Sequence, residues 1–215
     1  MKVEIWSDFA CPFCYLGKRR FEDALEQFPH SAEVEVVYRS FELDPNAPVQ
    51  VDMDVHQMLA DKYGMPRERA VEMNRNMTEQ AAELGLEYNM DTIRLTNTFD
   101  AHRLAQYAED RGKGAPMTER LLKAYFTDSL HLGDRGTLAD LAAEIGLDRE
   151  DAVRMLEGDG YKDAVRSDER DAASLGIRGV PFFVIDRKFG VSGAQPAEVF
   201  TQALEKAREA SRPPA

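Results

Sequence analysis

The sequence predicts an α/β fold in which one sheet is assembled from both ends of the chain and a large all-helical insertion interrupts it. Three observations carry this. Residues 1–38 read as strand, helix, strand. Residues from Pro181 onward read as strand, strand, helix. Between them the helical period recurs without a strand signal. The chain has 215 residues, 43 % hydrophobic and 31 % charged, so its composition is that of a globular protein able to bury a sizeable core.

The elements follow in order. Residues 1–6 form the first predicted strand and residues 7–10 a turn. Apolar side chains at Phe13, Leu16, Phe21, Leu25 and Phe28 then keep a helical period. Residues 33–38 are the second strand, and residues 39–48, with two prolines and an Asp-Pro step, are an exit loop. Helices are predicted over 55–63, stopped by Gly64, and over 67–84, stopped by Gly85. Residues 86–95 are irregular. Further helices cover 98–111, 119–127 after Pro116, 138–145, 150–156 and 161–175. Thr137 and Asp140 look like a capping pair for the helix at 138. Residues 181–186 are a buried-type strand, Arg187-Lys188 a turn, and residues 189–193 the returning strand. Pro196 opens a last helix, and residues 211–215 are a frayed tail. The expected organisation is a first sheet part over 1–44, a helical insertion over 45–176 and a second sheet part over 177–215.

The chemistry is concentrated at Cys11-Pro12-Phe13-Cys14, which holds both cysteines of the chain. Two thiols at this spacing on a first helical turn can close into a disulfide and open again. A Cys-x-x-Cys after a strand and at the start of a helix reads as a thioredoxin-like redox pair. The free N–H groups and positive dipole end of the helix favour a thiolate at Cys11. Pro12 fits the first turn, where its missing N–H costs nothing. Cys14, one turn inward, is the expected resolving thiol and the less exposed of the two. A structural zinc site needs four ligands, and neither a third cysteine nor a ligand spacing among His30, His56, His102 and His131 supplies them. His30, His56 and His131 read as surface or loop residues. A static disulfide across so short a loop would add little stability. No metal or cofactor is therefore expected.

Net charge is −12, which disfavours nucleic acid and anionic membrane surfaces as partners, or simply keeps the protein soluble. No apolar run approaches the length of a membrane span. A strand starting within a few residues of Met1 leaves no room for an apolar leader, so a cytoplasmic protein is expected. A Cys-x-x-Cys in that compartment is more often transient and catalytic than a permanent brace.

The cysteine motif, together with Gly179-Val180-Pro181-Phe182-Phe183-Val184, resembles the DsbA-like branch of the thioredoxin superfamily, and within it the cytoplasmic FrnE-type proteins related to polyketide-biosynthesis dithiol–disulfide isomerases. The resemblance spans essentially the whole chain. Its other parts are the opening run Ser7-Asp8-Phe9-Ala10 before Cys11, Thr96-Asn97-Thr98-Phe99-Asp100-Ala101-His102-Arg103-Leu104, and Ser192-Gly193-Ala194-Gln195-Pro196. It implies a thiol–disulfide oxidoreductase or isomerase with Cys11 as nucleophile and Cys14 as resolving thiol. It implies that Pro181 is a cis proline facing Cys11. The backbone of Val180 would then be turned outward for a substrate strand. Phe99 and His102 would lie over the cysteine pocket, with the insertion forming a cleft that selects the substrate. That substrate is a peptide, protein or small thiol or disulfide, such as glutathione, held beside Phe9, Pro12, Phe13 and Phe99.

Two other function classes fit the same fold. Glutathione-dependent enzymes resembling 2-hydroxychromene-2-carboxylate isomerases and kappa-type glutathione transferases carry serine where Cys11 stands, and both cysteines here argue against them. A non-catalytic thioredoxin-fold binding module would keep its function in Cys11→Ser.

Overall fold

A computed structural model describes residues 1–211; of the tail expected over 211–215, Ser211 ends the last helix and residues 212–215 lie outside the described residues. In chain order the elements are β1 (Lys2–Ser7), α1 (Pro12–Gln27), β2 (Glu35–Ser40), α2 (Val55–Tyr63), α3 (Arg67–Glu83), α4 (Phe99–Glu109), α5 (Gly114–Phe126), α6 (Arg135–Glu144), α7 (Arg149–Glu157), α8 (Lys162–Ser174), β3 (Phe182–Ile185), β4 (Phe189–Ser192) and α9 (Ala197–Ser211). The chain divides into two compact units, one made of Met1–Leu43 with Arg166–Ala215, the other of Asp44–Val165.

The first unit holds a mixed sheet in the order β2-β1-β3-β4. β1 runs parallel to β2 and antiparallel to β3, and β3 and β4 form a hairpin. β1 is therefore central, and its alternate residues face opposite ways. Val3 and Ile5 enter a core with Phe21, Ala24 and Phe28 of α1, Phe183 and Ile185 of β3, and Phe200 and Leu204 of α9. Three rings lock this layer: Phe183 meets Phe200 at 4.5 Å and Phe21 at 5.4 Å between centroids. Each such ring, fully buried, contributes about 2 kcal/mol. On the other face Trp6 packs with Val184, Ala172 and Ile177.

That second face moves one boundary. The sequence placed the end of the helical insertion at residue 176, whereas the division falls at Val165/Arg166, inside α8. The cause is polar as well as apolar. Trp6 Nε1 donates to the Asp168 carbonyl at 3.0 Å, and the Asp168 carboxylate accepts from Ser40 N at 2.9 Å and Arg39 Nη1 at 3.2 Å. A helix read as one period carries no mark of such a change of partner.

Local chemistry shifts other boundaries by a few residues. β2 starts at Glu35 because Ser31–Glu33 makes a 3-10 turn. α5 starts at Gly114, with Pro116 in the first turn, where no N–H is needed. α6 is capped by Asp134, whose carboxylate accepts from Thr137 N, so Thr137 lies inside the helix and does not cap it. The hairpin turn is Asp186-Arg187, both left-handed at φ 48° and 56°, one residue earlier than expected. Lys188 N donates to the Ile185 carbonyl at 3.0 Å across this turn, and three residues separate the paired Ile185 and Phe189.

Arg187 is held in that turn by ion pairs to Glu4 and Asp171, and its guanidinium lies 5.5 Å from the Trp6 ring. Glu4 projects from β1 and is only 3 % exposed. Burial pushes its carboxyl up, but hydrogen bonds from Arg187 and Arg39 outweigh this and hold it below the ordinary value. The hydrogen bond from Arg187 likewise lowers Asp171. Carboxyls depressed in the folded state add stability above their unfolded pKa values of about 4, and that stability is lost as pH falls through the folded values. Urea midpoints should therefore drop steeply below about pH 4. Glu4→Gln should cost about 3 kcal/mol at neutral pH and flatten the acid limb. An unchanged acid limb in Glu4→Gln would remove Glu4 from this account.

The regular elements of the second unit, from α2 to α7, are all helices, with an irregular stretch over 84–98 that holds one 3-10 turn at Met90–Thr92. Its buried side chains include Leu104, Met117, Leu121, Phe126, Leu138 and Leu156. Two histidines expected at the surface are buried there. His56 is 6 % exposed, with Nε2 2.7 Å from Asp91 Oδ1 and Nδ1 2.9 Å from Asn74 Nδ2; His131 is 7 % exposed, with Nε2 2.9 Å from the Val49 carbonyl. His56 ties α2 to α3 and to the segment at Asp91, and His131 ties two loop segments together, links that composition alone does not reveal.

Candidate active site

β1 ends at Ser7, and the chain turns through Asp8, Phe9 and Ala10 into α1. Asp8 organises this turn. Its carbonyl accepts from Cys11 N at 3.2 Å. Its carboxylate accepts from Leu43 N at 2.7 Å and Ala10 N at 3.4 Å. Its own N–H donates to Cys14 Sγ at 3.4 Å. Cys11 is the N-cap residue of α1, in extended conformation, and Pro12 occupies the first helical turn as expected. Cys14 N donates to the Cys11 carbonyl at 3.0 Å.

The other half of the site comes from the segment before β3. The Val180–Pro181 bond is cis. The Cys11 thiol donates to the Val180 carbonyl at 3.5 Å. Pro181 is anchored from the far side, its carbonyl accepting from Gly193 N at 2.8 Å. α1 lies close against this loop because residue 17 is glycine: a Cβ there would stand 2.9 Å from Pro181 Cγ and 3.5 Å from Ala194 Cα. Arg20 Nη1 donates to the Ala194 carbonyl at 2.5 Å, tying the same helix to the loop after β4. Cys11, Cys14, Val180 and Pro181, distant in sequence, thus meet at one end of the sheet.

Exposure does not separate the two thiols. Cys11 is 3 % and Cys14 2 % exposed, so the expected contrast between an open and a hidden sulfur is absent. Both are free thiols. Their environments differ instead. Burial pushes the Cys14 thiol well up, and the hydrogen bond and charge of Cys11 push the same way, while the Ser7 hydroxyl and the Asp8 N–H work against them.

The expected substrate contacts are distributed unevenly. Phe13 is 48 % exposed, a large apolar ring beside the cysteines. Pro12 and Val180 are partly buried, and Phe9 is buried. Phe99 and His102 lie in the other unit, at the start of α4, where Asn97 Oδ1 accepts from Phe99 N at 2.9 Å and His102 is buried. Ser7 and Asp8, which contact Cys14, are residues that sequence reasoning did not single out for a role. Their only signal was adjacency to the motif.

The sequence profile of the DSBA-like thioredoxin domain matches residues 2–205. The uncharacterized protein YwbO of Bacillus subtilis (strain 168) is 29 % identical over 204 residues, covering 94 % of each chain. The crystal structure of the probable DsbA oxidoreductase SCO1869 from Streptomyces coelicolor superposes with a TM-score of 0.95 at 49 % identity, covering 100 % of this chain and 92 % of that one. The cytosolic disulfide reductase DsbM from Pseudomonas aeruginosa shares the fold, with a TM-score of 0.66 at 18 % identity over 98 % of this chain and 100 % of that one. Among the described residues no helix is long and apolar enough to cross a membrane.

Proposed function

The chain belongs to the DSBA-like thioredoxin-domain family, an enzyme family of disulfide oxidoreductases, and from that premise we propose that Cys11 and Cys14 carry a thiol–disulfide exchange cycle. The observation that carries the proposal is the placement of Cys11 at the N-terminus of α1, its thiol on the Val180 carbonyl and Cys14 one turn behind. The Cys11 thiolate attacks one sulfur of a substrate disulfide. The Cys11–substrate bond forms as the substrate S–S bond breaks, and the other half leaves as a thiolate. Cys14 then loses its proton and attacks the Cys11 sulfur. The Cys11–Cys14 bond forms, the substrate leaves as a thiolate, and the proton goes to it. Run in reverse, the oxidised pair takes a substrate dithiol to a disulfide. In isomerisation a second thiolate of the substrate takes the place of Cys14: it attacks the substrate sulfur of the mixed disulfide, a new substrate disulfide forms, and Cys11 leaves as a thiolate.

Cys11 is assigned as the nucleophile on the helix N-terminus, because burial alone treats the two sulfurs alike. The substrate is a peptide, protein or small-molecule thiol or disulfide. The backbone at Val180, in the bend before β3, is where an extended substrate would pair, and Phe13 offers an exposed apolar ring. Phe99 and His102 enter as candidates for substrate selection on the resembling segment alone. The cytoplasmic location expected from the sequence belongs to the same proposal.

Trapping tests the roles. Cys14→Ala, incubated with an oxidised peptide, should accumulate a mixed disulfide on Cys11 that mass analysis detects, because nothing resolves it. Cys11→Ala should accumulate little. Equal accumulation on Cys14 in Cys11→Ala would reverse the assignment.

A further inference from the structure

The mechanism above leaves Cys14 with a demand that its surroundings oppose. It must be an anion twice: as the thiolate expelled when the Cys11–Cys14 disulfide is opened, and as the nucleophile that resolves a mixed disulfide. Yet it is 2 % exposed, and water cannot solvate that charge. Two protein donors reach it. The Asp8 N–H points at its sulfur from 3.4 Å, and the Ser7 hydroxyl is hydrogen-bonded to the same sulfur.

We propose that Ser7 is a catalytic residue: its hydroxyl, paired with the Asp8 N–H, forms a two-donor cradle that holds the Cys14 sulfur whenever it carries charge. The proposal rests on the exchange cycle proposed above and adds to it the group that stabilises the leaving sulfur.

The geometry suits the task. Ser7 is the last residue of β1 and is 6 % exposed, so its backbone is fixed by the central strand of the sheet, opposite Ser40 of β2. Asp8 is held by its carboxylate to Leu43 N and Ala10 N. The Asp8 N–H is therefore fixed before charge develops, and the Ser7 hydroxyl, on a fixed backbone, need only rotate about one bond, close to the condition under which preorganised donors act most strongly. A hydroxyl is also the suitable group chemically. It can donate to a thiolate, and it can rotate to accept when the sulfur is protonated, so neither state leaves an unmatched polar atom. A thiolate that accepts hydrogen bonds is favoured over the thiol.

In the reducing direction of the disulfide, an external thiolate attacks Cys11 Sγ. The bond from Cys11 to the external sulfur forms, the Cys11–Cys14 bond breaks, and the electron pair goes to Cys14 Sγ, which Ser7 and Asp8 receive. A leaving thiol that is more easily ionised leaves faster. Ser7 thus acts on the step in which Cys14 departs and not on the attack by Cys11 on substrate.

The test uses the full chain with Ser7→Ala and Ser7→Thr. The first readout is the rate at which reduced glutathione opens the oxidised Cys11–Cys14 pair. The second is the titration of Cys14 by its ultraviolet thiolate absorbance in a Cys11→Ser background, which needs no reagent to enter the buried site. Loss of one hydrogen bond to a charged sulfur is worth about tenfold in thiolate population. Leaving-group ability follows that loss only in part, so opening in Ser7→Ala should slow about threefold. Its Cys14 titration should move upward, and Ser7→Thr, which keeps the hydroxyl, should behave like the parent in both readouts. Parent-like opening and titration in Ser7→Ala overturn the proposal. A Ser7→Thr variant as impaired as Ser7→Ala overturns it too, since packing and not the hydroxyl would be responsible. If the parent chain forms no Cys11–Cys14 disulfide in oxidised glutathione, the exchange cycle and this proposal both fall.

Discussion

Cys11→Ser should lower thiol–disulfide exchange by about three orders of magnitude or more while leaving the fold intact. A serine hydroxyl is not ionised near neutrality and cannot form the mixed disulfide, so the covalent route closes. What remains is binding in the groove beside Val180 and slow exchange through Cys14, whose thiolate is disfavoured by burial. The change replaces one buried side chain by a slightly smaller one at an N-cap position, where serine is a favoured residue. Stability should therefore stay within about 1 kcal/mol of the parent or rise slightly. The double variant Cys11→Ser/Cys14→Ser should lose the slow route through Cys14 as well, a further loss far smaller than the first because the two sulfurs act as one unit. Reduction of an oxidised peptide, followed by mass analysis, reads both results. Retention of more than about a tenth of parental activity in Cys11→Ser would contradict covalent catalysis by Cys11 and favour a binding role for the fold.

The parts of this site that the sequence makes legible are those set by local rules. A Cys-x-x-Cys after a strand and before a helical period has one geometry open to it, and Pro12 fits it. The turn Asp186-Arg187 was placed within one residue, because a hairpin between two apolar strands leaves few choices. What was not legible depends on partners far away in the chain. The burial of Cys11 comes with the Val180 carbonyl, more than one hundred and fifty positions later, and so the expected contrast in exposure between the two thiols is absent. His56 and His131 read as surface or loop residues because Asn74, Asp91 and Val49, which satisfy them, share no period with them. Ser7 looked like the end of a strand. Only the fold brings its hydroxyl to a sulfur seven residues on.

The largest loss of stability should follow replacement of Arg103, a residue that the resemblance drew into a sequence signature without giving it a task. Arg103 is fully buried, at 0 % exposure, in the middle of α4. Its guanidinium has five N–H donors, and five acceptors meet them. Nε donates to the Gly160 carbonyl at 2.8 Å. Nη1 donates to Asp100 Oδ1 at 2.6 Å and the Leu156 carbonyl at 3.1 Å. Nη2 donates to the Met155 and Gly158 carbonyls at 2.8 and 2.7 Å. Met155 and Leu156 end α7, and Gly158 caps it, so one side chain satisfies carbonyls that a helix C-terminus leaves open and places a cation at its negative end. Asp100 is bound in turn by Arg135 Nε at 2.8 Å. Arg103→Met keeps the apolar stem and removes every donor, leaving buried carbonyls unpaired. It should cost about 4 kcal/mol, the range for breaking a buried charged pair. Arg103→Lys should recover less than half, since an ammonium has three donors and no planar fork. Urea unfolding measures both, and hydrogen exchange should place the loosening at the end of α7. If Arg103→Met costs less than about 1 kcal/mol, or lysine restores the parent, then the segment from Thr96 to Leu104 is not held for this clamp, and its composition must answer to the substrate instead.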